Sequence, residues 1–139
     1  QVRLKQIVEG QYKPTPDGLS GNDDLGQMSA WLVFTALGFY PVTPGSNQYV
    51  IGRPFVRRAV LTLPDGRHFT GDAENMSDAN IYVGSVELNG RPLDRSWIAD
   101  EDIRKGGSLR FIMQSRPNIE WGKGAGTRPY SLSTAAPAR

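Results

Sequence analysis

The chain has 139 residues, no cysteine and a formal net charge of +2. That length suffices for one domain with a core, and the missing cysteines exclude disulfides, thiol chemistry and cysteine-based zinc sites. The charge is too small, and the basic residues too scattered, to point to a nucleic-acid partner. The longest basic cluster is Arg57-Arg58, which reads as a solvated strand edge.

Residues 2–12 place Val2, Leu4, Ile7, Val8 and Tyr12 at helical spacing, which predicts a short amphipathic helix. Pro14 and Pro16 end it, because proline removes a donor and restricts the residue before it. A glycine-rich acidic loop follows over residues 17–27, with Asn22, Asp23 and Asp24 between Gly21 and Gly26. Such a loop can hold a carboxylate at a helix N-terminus, as a general base requires, or as a calcium ligand with Asn22 and the loop carbonyls as added oxygen ligands. The plainer reading is a helix cap with a solvated neighbour, in which either aspartate bonds the exposed N–H groups. The loop does not match the EF-hand pattern.

A second helix is predicted from about Gly26 to Leu37, stopped by Gly38. Gln27, Ser29 and Thr35 are its only polar positions among Met28, Ala30, Trp31, Leu32, Val33, Phe34, Ala36 and Leu37. A helix apolar all round needs cover on all sides, and this chain offers at most one more helix to supply it. The cover is therefore expected from a larger helical assembly, from a second copy through residues 26–38, or from another chain. Alone, the helix would expose a large apolar patch.

After Pro41 the pattern turns to β. Ala59-Val60-Leu61-Thr62-Leu63 and Arg67-His68-Phe69-Thr70 flank the turn triplet Pro64-Asp65-Gly66. Ile81-Tyr82-Val83 leads into Ser85-Val86-Glu87-Leu88, and Asn89-Gly90 turns the chain back through Arg91-Pro92-Leu93. Residues 99–105 carry acids first and bases last before Gly106-Gly107, which predicts one or two helical turns. Leu109, Phe111 and Met113 alternate with Arg110, Ile112 and Gln114 in a last strand with a buried face. Residues 122–139 are rich in Gly, Ser, Thr, Ala and Pro, and are expected to be disordered or draped on the surface. The fold class is thus α+β: a helical segment over 1–40, a small antiparallel sheet or sandwich over 41–121, and a tail. No apolar run reaches the roughly 18 residues that cross a bilayer, so no membrane span is expected. No leader is visible, and the start at Gln1 carries no information about location.

Other candidate groups favour structural roles. His68, the only histidine, lies on a predicted strand without a nucleophile or second ligand in its pattern. Trp31, Trp97 and Trp121 offer faces for a sugar, but core and inter-sheet packing is the simpler role for each. Gly122-Lys123-Gly124-Ala125-Gly126-Thr127 lacks the strand-to-helix setting of a phosphate loop.

One resemblance is specific. The run Gly18-Leu19-Ser20-Gly21-Asn22-Asp23-Asp24-Leu25-Gly26-Gln27-Met28-Ser29-Ala30-Trp31, continuing through Ala36-Leu37-Gly38-Phe39-Tyr40-Pro41-Val42 to Pro44-Gly45, closely resembles the C-terminal pattern of glycoside hydrolase family 92. Tyr49-Val50-Ile51-Gly52, Val86-Glu87-Leu88-Asn89-Gly90, Gly106-Gly107-Ser108-Leu109 and Pro117-Asn118 extend it over residues 1–122. These are calcium-dependent, exo-acting α-mannosidases of secreted or periplasmic setting, several times longer than this chain. The resemblance implies a β-sandwich followed by an (α/α)6 barrel, of which this chain holds the last helices and the β-rich end.

The family inverts stereochemistry, with an acid on the leaving oxygen and a carboxylate activating water on the opposite face. The resemblance places the general base at Asp24, with Asp23 or Asn22 holding the water or tuning that base. Some members carry a carboxylate where this chain has Asn22, and cysteine is common where it has Leu25. The general acid, a glutamate, and most groups for calcium and the terminal mannose belong to upstream segments. The implied partners are α-mannosides, including N-glycan mannose, and the upstream domains. The alternative is a non-catalytic, carbohydrate-associated β module that binds or packs.

Overall fold

Two helices lead the chain. The computed structural model describes residues 1–131 and 133. Helix α1 spans Val2–Gln11 and buries no residue, and helix α2 spans Gln27–Leu37 and buries only Thr35. A 3₁₀ turn, Asp24–Gly26, precedes α2, so the regular helix begins one residue later than Gly26. At the other end Gly38 adopts a left-handed conformation (φ 92°), and its N–H bonds back to the carbonyls of Phe34 and Thr35. This is the stop that a glycine without a Cβ supplies most readily.

The residues that make α2 apolar all round are not covered by this chain alone. Val33 is 59% exposed, Ala30 is exposed, and Val2 and Ile7 of α1 are partly open as well. The inward side of α2 is anchored by aromatic contacts. Phe34 meets Phe39 edge-on at 6.2 Å and stacks against Tyr49 at 6.0 Å.

Among the described residues, eight strands follow in two sheets. One has the order β1–β2–β7, with β1 Phe39–Tyr40, β2 Gln48–Ile51 and β7 Trp97–Ala99. The other has the order β3–β4–β8–β5–β6, with β3 Arg58–Thr62, β4 His68–Glu74, β5 Tyr82–Leu88, β6 Arg91–Pro92 and β8 Gly107–Gln114. Both expected hairpins form, β3 with β4 around Pro64-Asp65-Gly66 and β5 with β6 around Asn89-Gly90. Helix α3, Asp100–Arg104, joins β7 to β8.

The larger sheet departs from the antiparallel expectation. Strand β8 inserts between β4 and β5 and runs parallel to β4, with Gly71 opposite Leu109 and Asp72 opposite Arg110. The sheet is therefore mixed. The crossover that parallel pairing requires is made by β5, β6, β7 and α3 together.

The two sheets share one core. Phe39, Ile51 and Ile98 come from the smaller sheet, and Phe69, Ala73, Val83, Val86, Leu109, Phe111 and Met113 from the larger. The alternation of buried Leu109, Phe111 and Met113 along β8 follows from the period of two in a strand. The opposite face carries a row of charges in register: Arg58 bonds Asp72 across β3 and β4, and Arg110 bonds Glu87 and Glu74. Such exposed pairs set register more than stability.

The described part of the tail lies against the smaller sheet. Ser96 N–H donates to Thr127 O at 2.8 Å, Trp97 Nε1 to Arg128 O at 3.1 Å, and Tyr130 N–H to Gln48 Oε1 at 2.7 Å. Residues 132 and 134–139 lie outside the described residues.

Candidate active site

The acidic loop is closed at a narrow neck. Tyr12 and Leu19 form an antiparallel bridge, Lys13 N–H donates to Gly18 O, and Gly18 N–H donates to Thr15 O, both at 2.9 Å. Gly18 is buried, and a Cβ there would lie 1.9 Å from Lys13 O, so no side chain fits. The loop thus begins from a fixed point beside the end of α1.

At its far end the two aspartates part company. Asp23 Oδ1 accepts the N–H of Met28 at 2.8 Å and that of Ser29 at 3.0 Å, while Oδ2 accepts the Ser29 hydroxyl. These bonds satisfy N–H groups that the first turn of a helix leaves without acceptors. They also hold the Asp23 carboxyl below the usual carboxylate range, with the Ser29 hydroxyl bond the largest cause and the Ser29 N–H next. Asp24 is exposed, and although its backbone carbonyl accepts the Gln27 N–H, its side chain has no hydrogen bond or ion pair among the described residues. The cap that the sequence left open between two carboxylates is Asp23, and the free carboxylate is Asp24.

The backbone between them and α2 is unusual. Leu25 (φ 55°) and Gly26 (φ 75°) are both left-handed, and the Leu25 side chain is fully exposed. A leucine in that region is strained by its Cβ, an arrangement that concentrates at functional sites. Asn22 is exposed on the same loop.

Two groups that the sequence pattern does not single out, one on α2 and one just beyond α1, complete this loop. Ser29 had been only a polar interruption of the apolar helix, and its distance of six residues from Asp23 hides its part in the cap. Tyr12, one of the apolar positions of the first helix, turns its hydroxyl to Met28 O at 3.1 Å. Arg53 was also not singled out. It is 7% exposed, with Nε and Nη1 lacking hydrogen-bond partners and the guanidinium 4.5 Å over the Phe55 ring.

Of the other candidates, His68, Trp97 and Trp121 stay apart from the loop. His68 is exposed on β4 with Nδ1 3.3 Å from Thr62 Oγ1. Trp121 donates from Nε1 to Leu93 O and packs against the core, and Trp97 lies under the Arg95 guanidinium at 4.3 Å. Trp31 stacks on Tyr12 with centroids 5.7 Å apart.

The loop side chains left to offer oxygen to a calcium ion are those of Asn22 and Asp24. Among the described residues no three Asp, Glu, His or Cys side chains cluster in a way that holds a metal. Both Asp23 oxygens are engaged by α2, so the rest of a shell of six to eight oxygens would come from backbone carbonyls, waters or groups outside this chain.

The model of the glycosyl hydrolase family 92 catalytic domain matches residues 1–115. The chain belongs to this family. Among curated proteins, the chain is similar to an uncharacterized secreted glycosidase of Arthroderma benhamiae, 32% identical over 133 residues. That match covers 94% of this chain and 17% of the relative. A family 92 α-mannosidase of Bacteroides thetaiotaomicron, solved with mannoimidazole, superposes with a TM-score of 0.89 at 41% identity, over 94% of this chain and 17% of that one. A family 92 inverting mannosidase of the same organism superposes with a TM-score of 0.87 at 36% identity, over 95% and 18%. The family 92 chain described by these residues therefore spans under a fifth of the length of the relatives it matches.

Proposed function

We propose that this chain is the C-terminal part of an inverting α-mannosidase that hydrolyses terminal α-mannosidic bonds, with Asp24 as its general base. The observation that carries the reading is the asymmetry of the two aspartates. Asp23 is tied to the start of α2, whereas Asp24 is exposed and unpaired on a loop fixed at both ends. A base that takes a proton from water needs a free carboxylate in a set place. In this reading Asp23 orients the loop and its charge adjoins the base, and Asn22 helps hold the water.

The general acid and most of the mannose-binding groups are assigned to segments outside these 139 residues. The isolated chain is then inactive, since an inverting displacement needs both carboxyl groups on opposite faces of the sugar. Calcium belongs to the whole enzyme, with its oxygen ligands drawn chiefly from outside this chain. Residues 1–40 form the last part of the helical barrel, and upstream helices cover the open sides of α1 and α2. The exposure of Val33 and Ile7 supports this over a free-standing carbohydrate module, which has no use for such helices. The setting is secreted or periplasmic; among the described residues no helix is long and apolar enough to cross a membrane.

The test is Asp24→Asn in the enzyme that carries this chain in full-length context. Loss of acid–base assistance lowers kcat by about 10²–10⁴-fold, with the circular dichroism spectrum and Tm unchanged. A variant that turns over at nearly the wild-type rate would sink the assignment.

A further inference from the structure

We infer that Tyr12 is a positioning residue for the Asp23–Asp24 loop, acting through the first turn of α2; the inference rests on the reading of Asp24 as base. Tyr12 is the first residue beyond α1 and has extended backbone (φ −123°, ψ 133°). It meets the loop in two ways. Its backbone pairs with Leu19 and closes the neck. Its side chain passes to α2, where the hydroxyl donates to Met28 O at 3.1 Å and the ring stacks on Trp31 with planes 12° apart.

Met28 is the point where these constraints converge. Its N–H is held by Asp23 Oδ1 and its carbonyl by the Tyr12 hydroxyl. Trp31 lies three residues on, so it shares a helix face with Met28, and ring and hydroxyl press on the same turn. The neck fixes one end of residues 19–24, and the cap on Met28 and Ser29 fixes the other. Tyr12 touches both, as a member of the neck and through its hydroxyl on the capped turn. With Asp23 seated, the direction in which Asp24 leaves the chain follows from the two left-handed residues after it. Partial burial and the neighbouring Asp23 charge push the phenol pKa up, so the group remains a protonated donor at neutral pH.

Tyr12→Phe keeps the ring stack and the neck but releases the Met28 carbonyl; Tyr12→Leu releases the stack as well. Both are made in the full-length enzyme and followed by amide hydrogen exchange and by steady-state kinetics. One ordinary hydrogen bond fewer raises exchange at Met28 and Ser29 by about 3–10-fold in Tyr12→Phe, with exchange along β8 unchanged. Turnover per folded molecule falls about 10-fold at unchanged KM, as expected when a group in the transition state is misplaced by about 1 Å or less. Tyr12→Leu falls further, again in kcat. A merely structural tyrosine would lower Tm and leave kcat per folded molecule intact, and that result overturns the inference. Unchanged exchange at Met28 and Ser29 in Tyr12→Phe also overturns it, whatever Asp24 does. An active Asp24→Asn enzyme, by contrast, removes the base reading itself, and the two failures are told apart by the exchange data.

Discussion

An α-helix leaves its first N–H groups without intrahelical acceptors, and a carboxylate placed beside them is favoured in its charged form. Asp23 occupies that place on α2, so its folded pKa lies below the value it has in the unfolded chain. Its contribution to stability is accordingly present above the unfolded carboxylate pKa and disappears as pH falls through the depressed folded one. Comparison of wild type with Asp23→Ala by urea unfolding thus gives a lower midpoint for the variant at neutral pH and midpoints that converge as pH falls below the ordinary carboxylate range. A gap between the two proteins that stays constant over that range would show that Asp23 acts by packing and not by its charge. Asp24 has no comparable partner among the described residues, and Asp24→Asn should leave the unfolding curve in place while it removes turnover. The pair thus separates a carboxylate tied to the helix from one whose side chain is free, within two adjacent positions.

Elements are joined here by residues that have no room to vary. Gly38 ends α2 in a left-handed conformation and feeds directly into β1. A Cβ at this position would lie 2.7 Å from Phe111 Cζ and 3.2 Å from Pro54 Cβ. Gly38→Ala therefore adds left-handed strain of about 1–2 kcal/mol and overpacking of about 1–3 kcal/mol. Gly66, also left-handed but with open space around its Cβ, bears only the first of these. Urea midpoints should fall further for Gly38→Ala than for Gly66→Ala, and equal losses would mean that the joint yields. The turn and cap residues that make such joints were visible in the sequence, as were both hairpins and the buried face of β8. The parallel pairing of β8 with β4 was not, because strand direction depends on a crossover spanning β5 to α3 and leaves no local pattern. The division of labour between Asp23 and Asp24 was hidden for a similar reason. Both are the same residue type, and the 3₁₀ turn that separates them depends on a left-handed leucine that local preference disfavours.

At the scale of the whole molecule, the open side of the helices decides what the chain does alone. Val2, Ile7 and Val33 are 37%, 41% and 59% exposed, so covering them recovers only part of the roughly 1.5–3 kcal/mol that full burial of each would give. Bringing two separate chains together costs about 4–15 kcal/mol in lost freedom, more than this partial burial returns. Upstream helices in the same polypeptide avoid most of that cost, which favours cover from within the enzyme over tight self-association. Val33→Lys separates the two settings. On the isolated chain, lysine stands in solvent and is at least as good a helix former as valine, so stability changes by no more than about 0.5 kcal/mol. In the full-length enzyme the same charge is placed against a covering helix without a partner at a cost of about 1–3 kcal/mol, and Tm falls by about 1–2 °C in a chain of that length. Calorimetry of both proteins with and without the substitution makes the measurement. A full-length Val33→Lys enzyme that melts like wild type would show that this face of α2 remains in water and that the helix needs no cover there.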